Sequence, residues 1–166
     1  MSESADRYRP PYWRMIEPWW ERISIYDGAD RFLREFASAP QPVGHLFAAH
    51  WLQSEVINGG FDQFFANSTG VLAPEAELGF KAIGMPDAAS VIAEQMAWFG
   101  PAYPREREDR ERKLEKGSGL LSRLLAARGA RTPRGDEEFW TLLKYENGGF
   151  PAAADRYALE NDPGLA

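Results

Sequence analysis

The chain has 166 residues, no cysteine, and 25 acidic against 19 basic side chains, a formal net charge of −6. That length suits one domain with a core of its own, and the missing thiols exclude disulfides, cysteine nucleophiles and cysteine metal sites. No run approaches the roughly 20 apolar residues of a membrane span, and MSESADRYRPPYW lacks the order of a secretory signal, so the expected compartment is the cytoplasm.

Residues 1–11 are polar and end in prolines, and read as a flexible arm before a helical domain spanning 12–160. Residues 12–26 carry Trp13, Ile16, Trp19, Trp20, Ile23 and Ile25. Pro18 is tolerated only in a first helical turn, which places the start of the main helix near Glu17. The tryptophans are expected in the core or at a homodimer contact. Asp27-Gly28 breaks the chain. Residues 29–38 follow as a short helix with Phe32, Leu33 and Phe36 inward. Residues 39–42 form a linker turn, with Pro42 in the first turn of the next helix.

That next helix is the centre of the chain. Val43, Leu46, Phe47, Trp51, Ser54, Val56 and Ile57 recur at helical spacing and predict a buried face. Asn58-Gly59-Gly60 interrupts it, and Gly59 is expected to take the left-handed conformation at the helix end. Phe61, Phe64 and Phe65 restart an apolar stripe, and residues 67–70 are turn chemistry. Glu55, Asn58, Asp62, Gln63 and Asn67 surround the break. Polar groups so close to aromatics must face water or satisfy one another.

The stretch EVINGGFDQFFANSTG resembles the signature of a bacterial DNA-mimic protein family. The resemblance is specific over residues 51–70 and continues loosely to Phe99. It implies a helical fold, dimerisation, and occupation of the DNA-binding face of a transcription factor.

Residues 74–83 and 86–99 read as two more helices, each opened by a proline. Residues 104–116, PREREDRERKLEK, fit a solvated helix or a mobile loop. Residues 120–127 are expected to be helical and 128–135 a loop. Asp136 is expected to cap a helix holding Phe139, Trp140, Leu142 and Leu143. Asn147-Gly148-Gly149-Phe150 echoes Asn58-Gly59-Gly60-Phe61 and reads as a reused helix-break device. Residues 151–160 close the domain, and the tail at 161–166 should fray. No segment alternates with period two, so the expected class is all-α, an irregular single-domain helical bundle.

The chemistry in the sequence is sparse. His45 and His50 are five apart and do not form a zinc pair. There is no phosphate loop and no nucleophile motif. No catalytic residue, metal ligand or cofactor is assigned. Between Glu35 and Phe99 the acids are Glu35, Glu55, Asp62, Glu75, Glu77, Asp87 and Glu94, against Lys81 alone. An acidic middle disfavours nucleic-acid binding and suits a basic partner. The expected function is a non-enzymatic interaction protein, a DNA mimic presenting Asp62, Glu75, Glu77, Asp87 and Glu94 to a basic DNA-binding protein. The alternative is a small-molecule-binding domain or an enzyme. It would use a polar pocket at Glu55, Asn58, Gly59, Gly60, Phe61, Gln63 and Asn67.

Overall fold

A 26-residue helix, α3 (Gln41–Ala66), runs through the middle of the molecule and buries Leu46, Phe47, Ala48, Ala49, Leu52 and Val56. The computed structural model describes residues 9–117 and 134–166. Before α3 come α1 (Pro11–Ile16) and α2 (Ala29–Phe36). After it come α4 (Ala73–Ala82), α5 (Pro86–Ala97), α6 (Arg107–Gly117), α7 (Arg134–Tyr145) and α8 (Phe150–Asn161). Four short 3-10 turns complete the described structure, which contains no strand. The fold is all-α, as the periodicity predicts. Residues 1–8 and most of the segment expected as helix 120–127 and loop 128–135 lie outside the described residues.

The helices share one apolar cluster because each brings a stripe of the right period. Small residues set the closest approach. At Gly79 an added Cβ would lie 2.4 Å from the His45 carbonyl oxygen, so α4 can press directly onto α3. Around that contact runs a chain of edge-to-face and tilted rings. Phe61 meets Phe139, Phe139 meets Phe80, and Phe80 meets Phe150, with centroids 5.2, 5.3 and 5.7 Å apart. Such pairs add about 0.5–1.5 kcal/mol each beyond area burial.

The first helix differs from expectation. It starts at Pro11 rather than near Glu17, and Pro18 falls in the 3-10 turn Glu17–Trp19 that follows it. Its start is fixed from far away, because the Tyr12 N–H donates to Asp155 Oδ1 at 3.1 Å. The tryptophans then close over α3. Trp20 stacks on Trp51 at 4.8 Å, and Trp13 lies 5.0 Å from the His50 ring. The mixed-charge run resolves as helix α6, with one of its arginines, Arg110, completely buried.

His50 sits in this shell, and His45 packs against Tyr157 of α8. His50 faces the Tyr12 hydroxyl at 3.4 Å, and His45 Nδ1 lies 2.7 Å from the Tyr157 hydroxyl. Burial pushes the His50 pKa down to about 4 and lowers that of His45. In the unfolded chain each titrates near about 6.5. Between those values the unfolded state binds the extra proton. Stability should therefore be full above about pH 6.5 and fall as the pH drops toward about 4. His50→Phe should flatten this loss in urea midpoints compared near about pH 7.5 and pH 5. An unchanged slope would show that His50 does not set it.

Candidate functional site

The signature stretch is built around a break inside α3. Gly59 has φ −158 and ψ 18, an extended φ open to any residue. Gly60 carries the positive φ, 76, with ψ 178. The left-handed position is thus Gly60 and not Gly59. The reason is the restart that follows. Gly60 precedes the new helical turn at Phe61, and this φ/ψ region is essentially confined to glycine. The carboxylate of Asp136, from α7, accepts the Phe61 N–H at 2.9 Å. A Cβ on Gly60 would sit 2.4 Å from that carboxylate. Asp136 lies inside α7 and not at its cap, where the sequence places it; its carboxylate caps the helical turn that restarts at Phe61. At the other side of the break, Trp140 Nε1 donates to the Val56 carbonyl at 3.1 Å.

The polar side chains of the signature turn toward one another. Glu55 Oε2 accepts from Gln63 Nε2 and Asn67 Nδ2, both at 2.9 Å, and Glu55 Oε1 accepts from Thr69 Oγ1 at 3.2 Å. Asn58 and Gly59 are exposed, Glu55, Gln63 and Asn67 are half-buried, and Gly60 and Phe61 are buried. The cluster ties the first half of α3 to the turn after it.

The C-terminal end of α3 is closed by arginines. Arg110 Nε donates to the Phe65 carbonyl at 2.8 Å and Nη2 to the Asn67 carbonyl at 2.8 Å, while Arg107 Nε donates to Ala66 at 2.9 Å. The Tyr103 hydroxyl donates to the Gly70 carbonyl at 2.7 Å. Last-turn carbonyls have no partner within their own helix, and a cation there also meets the negative end of the helix dipole. Sequence reasoning did not find Arg110, because its neighbours are all charged and no periodicity marks it as buried.

The second Gly-Gly is a related device. Gly149 has φ 88 and ψ 159 ahead of Phe150, close to the values of Gly60 ahead of Phe61. Beside it, the Glu146 carboxylate accepts the Asp87 and Ala88 N–H groups at 2.8 and 3.0 Å, and Asn147 Nδ2 donates to the Ile83 carbonyl at 3.0 Å. The echo reads from the sequence as a helix break; in the structure its common feature is the glycine conformation that precedes each helix restart, and at the second site Glu146 and Asn147 also stitch the α4–α5 turn.

A family model described as DMP19-like protein matches residues 37–161. The chain belongs to the DMP19-like protein family. The matched span runs to the end of α8 and takes in α3, its break and every side chain that closes it. In this DMP19-like chain, α1 and α2 with their aromatic shell precede the family span. No curated protein and no solved structure matches the chain.

The acids of this DMP19-like protein have different surroundings. Arg105 grips Glu75 through two hydrogen bonds, at 2.6 and 2.9 Å, and Lys81 meets Glu77 at 2.6 Å. Asp62, Asp87 and Glu94 are exposed. Among the described residues, no group of three His, Asp or Glu side chains is placed to hold a metal ion, and no helix is long and apolar enough to cross a membrane.

Two expectations follow. Gly60→Ala should cost about 2–4 kcal/mol, since it combines a glycine-only backbone with a carboxylate contact. Asp136→Ala should cost about 1–2 kcal/mol through the lost cap. Gly59→Ala should cost less than Gly60→Ala, because its φ is open to any residue, although it crowds Gln63 and disturbs the bond from Gln63 to Glu55. Chemical denaturation ranks the three, and equal losses at both glycines would refute the assignment of the strained position. Separately, Arg110→Lys should lower stability by about 2 kcal/mol, as a single ammonium cannot reach carbonyls on both sides of the guanidinium. A melting temperature equal to wild type would mean that those bonds contribute little.

Proposed function

We propose that this DMP19-like protein is a DNA mimic that occupies the nucleic-acid-binding surface of a basic DNA-binding protein. The observation that carries the reading is the family match over residues 37–161, whose span includes all five candidate acids. Their geometry supports a particular division of labour. Asp87 and Glu94 are seven residues apart on α5, two helical turns along one face. At about 1.5 Å of rise per residue their separation along the axis is about 10.5 Å. Two carboxylates held in line on a rigid helix can imitate part of a phosphate track. Asp62 adds an exposed carboxylate from α3. Glu75 and Glu77 lend less outward charge, because Arg105 and Lys81 hold them.

The mimic would work by long-range attraction first. Exposed acids steer a basic surface into contact, so their removal acts on the association rate and on the salt dependence. Affinity capture from the native lysate at low salt should recover a DNA-binding protein that is released by high salt and by competing duplex DNA. A captured protein that duplex DNA fails to displace would overturn mimicry.

With that partner in hand, the double variant Asp87→Asn, Glu94→Gln should slow association by roughly tenfold and flatten the salt slope while leaving the melting temperature unchanged. The double variant Glu75→Gln, Glu77→Gln should slow it less. If the first variant associates at the wild-type rate with the wild-type salt slope, α5 is not the mimic face.

A further inference from the structure

A groove of about 680 Å³ opens between α3, α7 and the start of α8, and none of the acids of the mimic reading lines it. Its walls are Ile57 on α3 and Trp140 on α7, and its base includes Leu143 and Phe150. Ile57 is 56% exposed and Trp140 44%, so two of the exposed large apolar side chains among the described residues line this one groove. Trp140 is not loose. Its indole N–H is held by the Val56 carbonyl, so one wall is fixed in place before anything binds. The volume lies within the range of about 300–1,000 Å³ typical of small-ligand sites, and the lining has their usual apolar character.

The charge at the rim selects the ligand. Lys144, one helical turn beyond Trp140, is the sole charged side chain among the described lining residues. Its ammonium lies 5.1 Å from the centre of the Tyr145 ring. No carboxylate lines the groove among the described residues, although the chain carries a net charge of −6. The first turn of α8 adds to the same polarity, since it has no acidic residue and no side-chain cap. Gln53 supplies an amide on the α3 side.

We propose that this groove binds a small amphipathic carboxylate, with its alkyl or aryl part between Ile57 and Trp140 and its carboxylate at Lys144. The site is distinct from the Glu55 cluster and from the acids on α3, α4 and α5, so it stands or falls separately from mimicry.

Decanoate is a suitable probe, used below its micelle-forming concentration and titrated calorimetrically into the full chain. Saturable binding with one site per chain is expected. Decyltrimethylammonium, with the same chain and the opposite charge, should bind at least about tenfold more weakly. Ile57→Glu should abolish measurable binding, and Lys144→Gln should weaken it by about three- to tenfold. Both residues are exposed, and both variants should melt with the wild type. The proposal is overturned if decanoate does not saturate, if the ammonium binds as well as the carboxylate, or if Ile57→Glu binds unchanged. Sedimentation of the same variants decides the other occupant. If Ile57→Glu converts a dimer to monomers and decanoate never saturates, the groove is an interface between copies of the chain and not a ligand site.

Discussion

Every helix end leaves backbone N–H or carbonyl groups without intrahelical partners, and α3 multiplies that problem by breaking where it enters the core at Gly60 and Phe61. An unpartnered buried backbone group costs about 1–3 kcal/mol, so a broken central helix is tolerable only if other segments close its ends. They do so with charge of the matching sign. Asp136 takes the Phe61 N–H, where the restarted turn has its positive end. Arg110 and Arg107 take the Phe65, Ala66 and Asn67 carbonyls at the negative end. Trp140 takes the Val56 carbonyl just before the break. The rest of the molecule repeats the arrangement, with Asp155 at Tyr12 and Glu146 at Asp87 and Ala88.

This constraint changes what the net charge means. Several carboxylates that look like surface charge in the sequence are tied to backbone dipoles or to polar side chains. Glu55 is held by three neutral donors. Glu75 is held by Arg105 in a two-pronged pair that also brings the guanidinium to the Val71 carbonyl. A cationic partner, as at Glu75 and Glu77, cancels local outward field, whereas Glu55 keeps its charge behind neutral donors. A mimic surface would therefore depend on where the exposed acids fall along a rigid helix, more than on how many acids there are.

Much of the architecture was legible before any coordinates. The period of 3.6 and the prolines marked α2, α4, α5 and α8 to within a residue or two, because burial of one stripe and proline's fixed φ are local rules. The first helix was misplaced because both Pro11 and Pro18 fit a first turn, and the deciding bond comes from Asp155, far along the chain. The choice between Gly59 and Gly60 was hidden for the same reason, since a carboxylate from α7 determines which glycine must turn. Arg110 left no signal at all. Burial of a cation among carbonyls follows from three-dimensional closure of α3, and a pattern of apolar residues cannot report it. Glu55, Gln63 and Asn67 are marked by their place beside the first Gly-Gly, but Thr69, Asp136 and Trp140 join them only through the fold.

The two Gly-Gly-Phe sequences show how one backbone device can serve different ends. Gly60 and Gly149 share a positive φ with an extended ψ, and each launches a helix with a buried phenylalanine. At the first, Asp136 fills the position that an external anion would need, and the Glu55 cluster packs the rest. At the second, Glu146 reaches instead to α5, and α8 begins without a side-chain cap. Trp140 connects the two, with its N–H on the α3 break and its ring in the wall of the groove beside Gly149. A positive helix start closed by the chain's own carboxylate has no need of a ligand. A helix start left open beside an apolar wall and a lysine retains that capacity. On the proposed reading, the Gly-Gly-Phe device serves stability at Gly60, and binding becomes available beside Gly149.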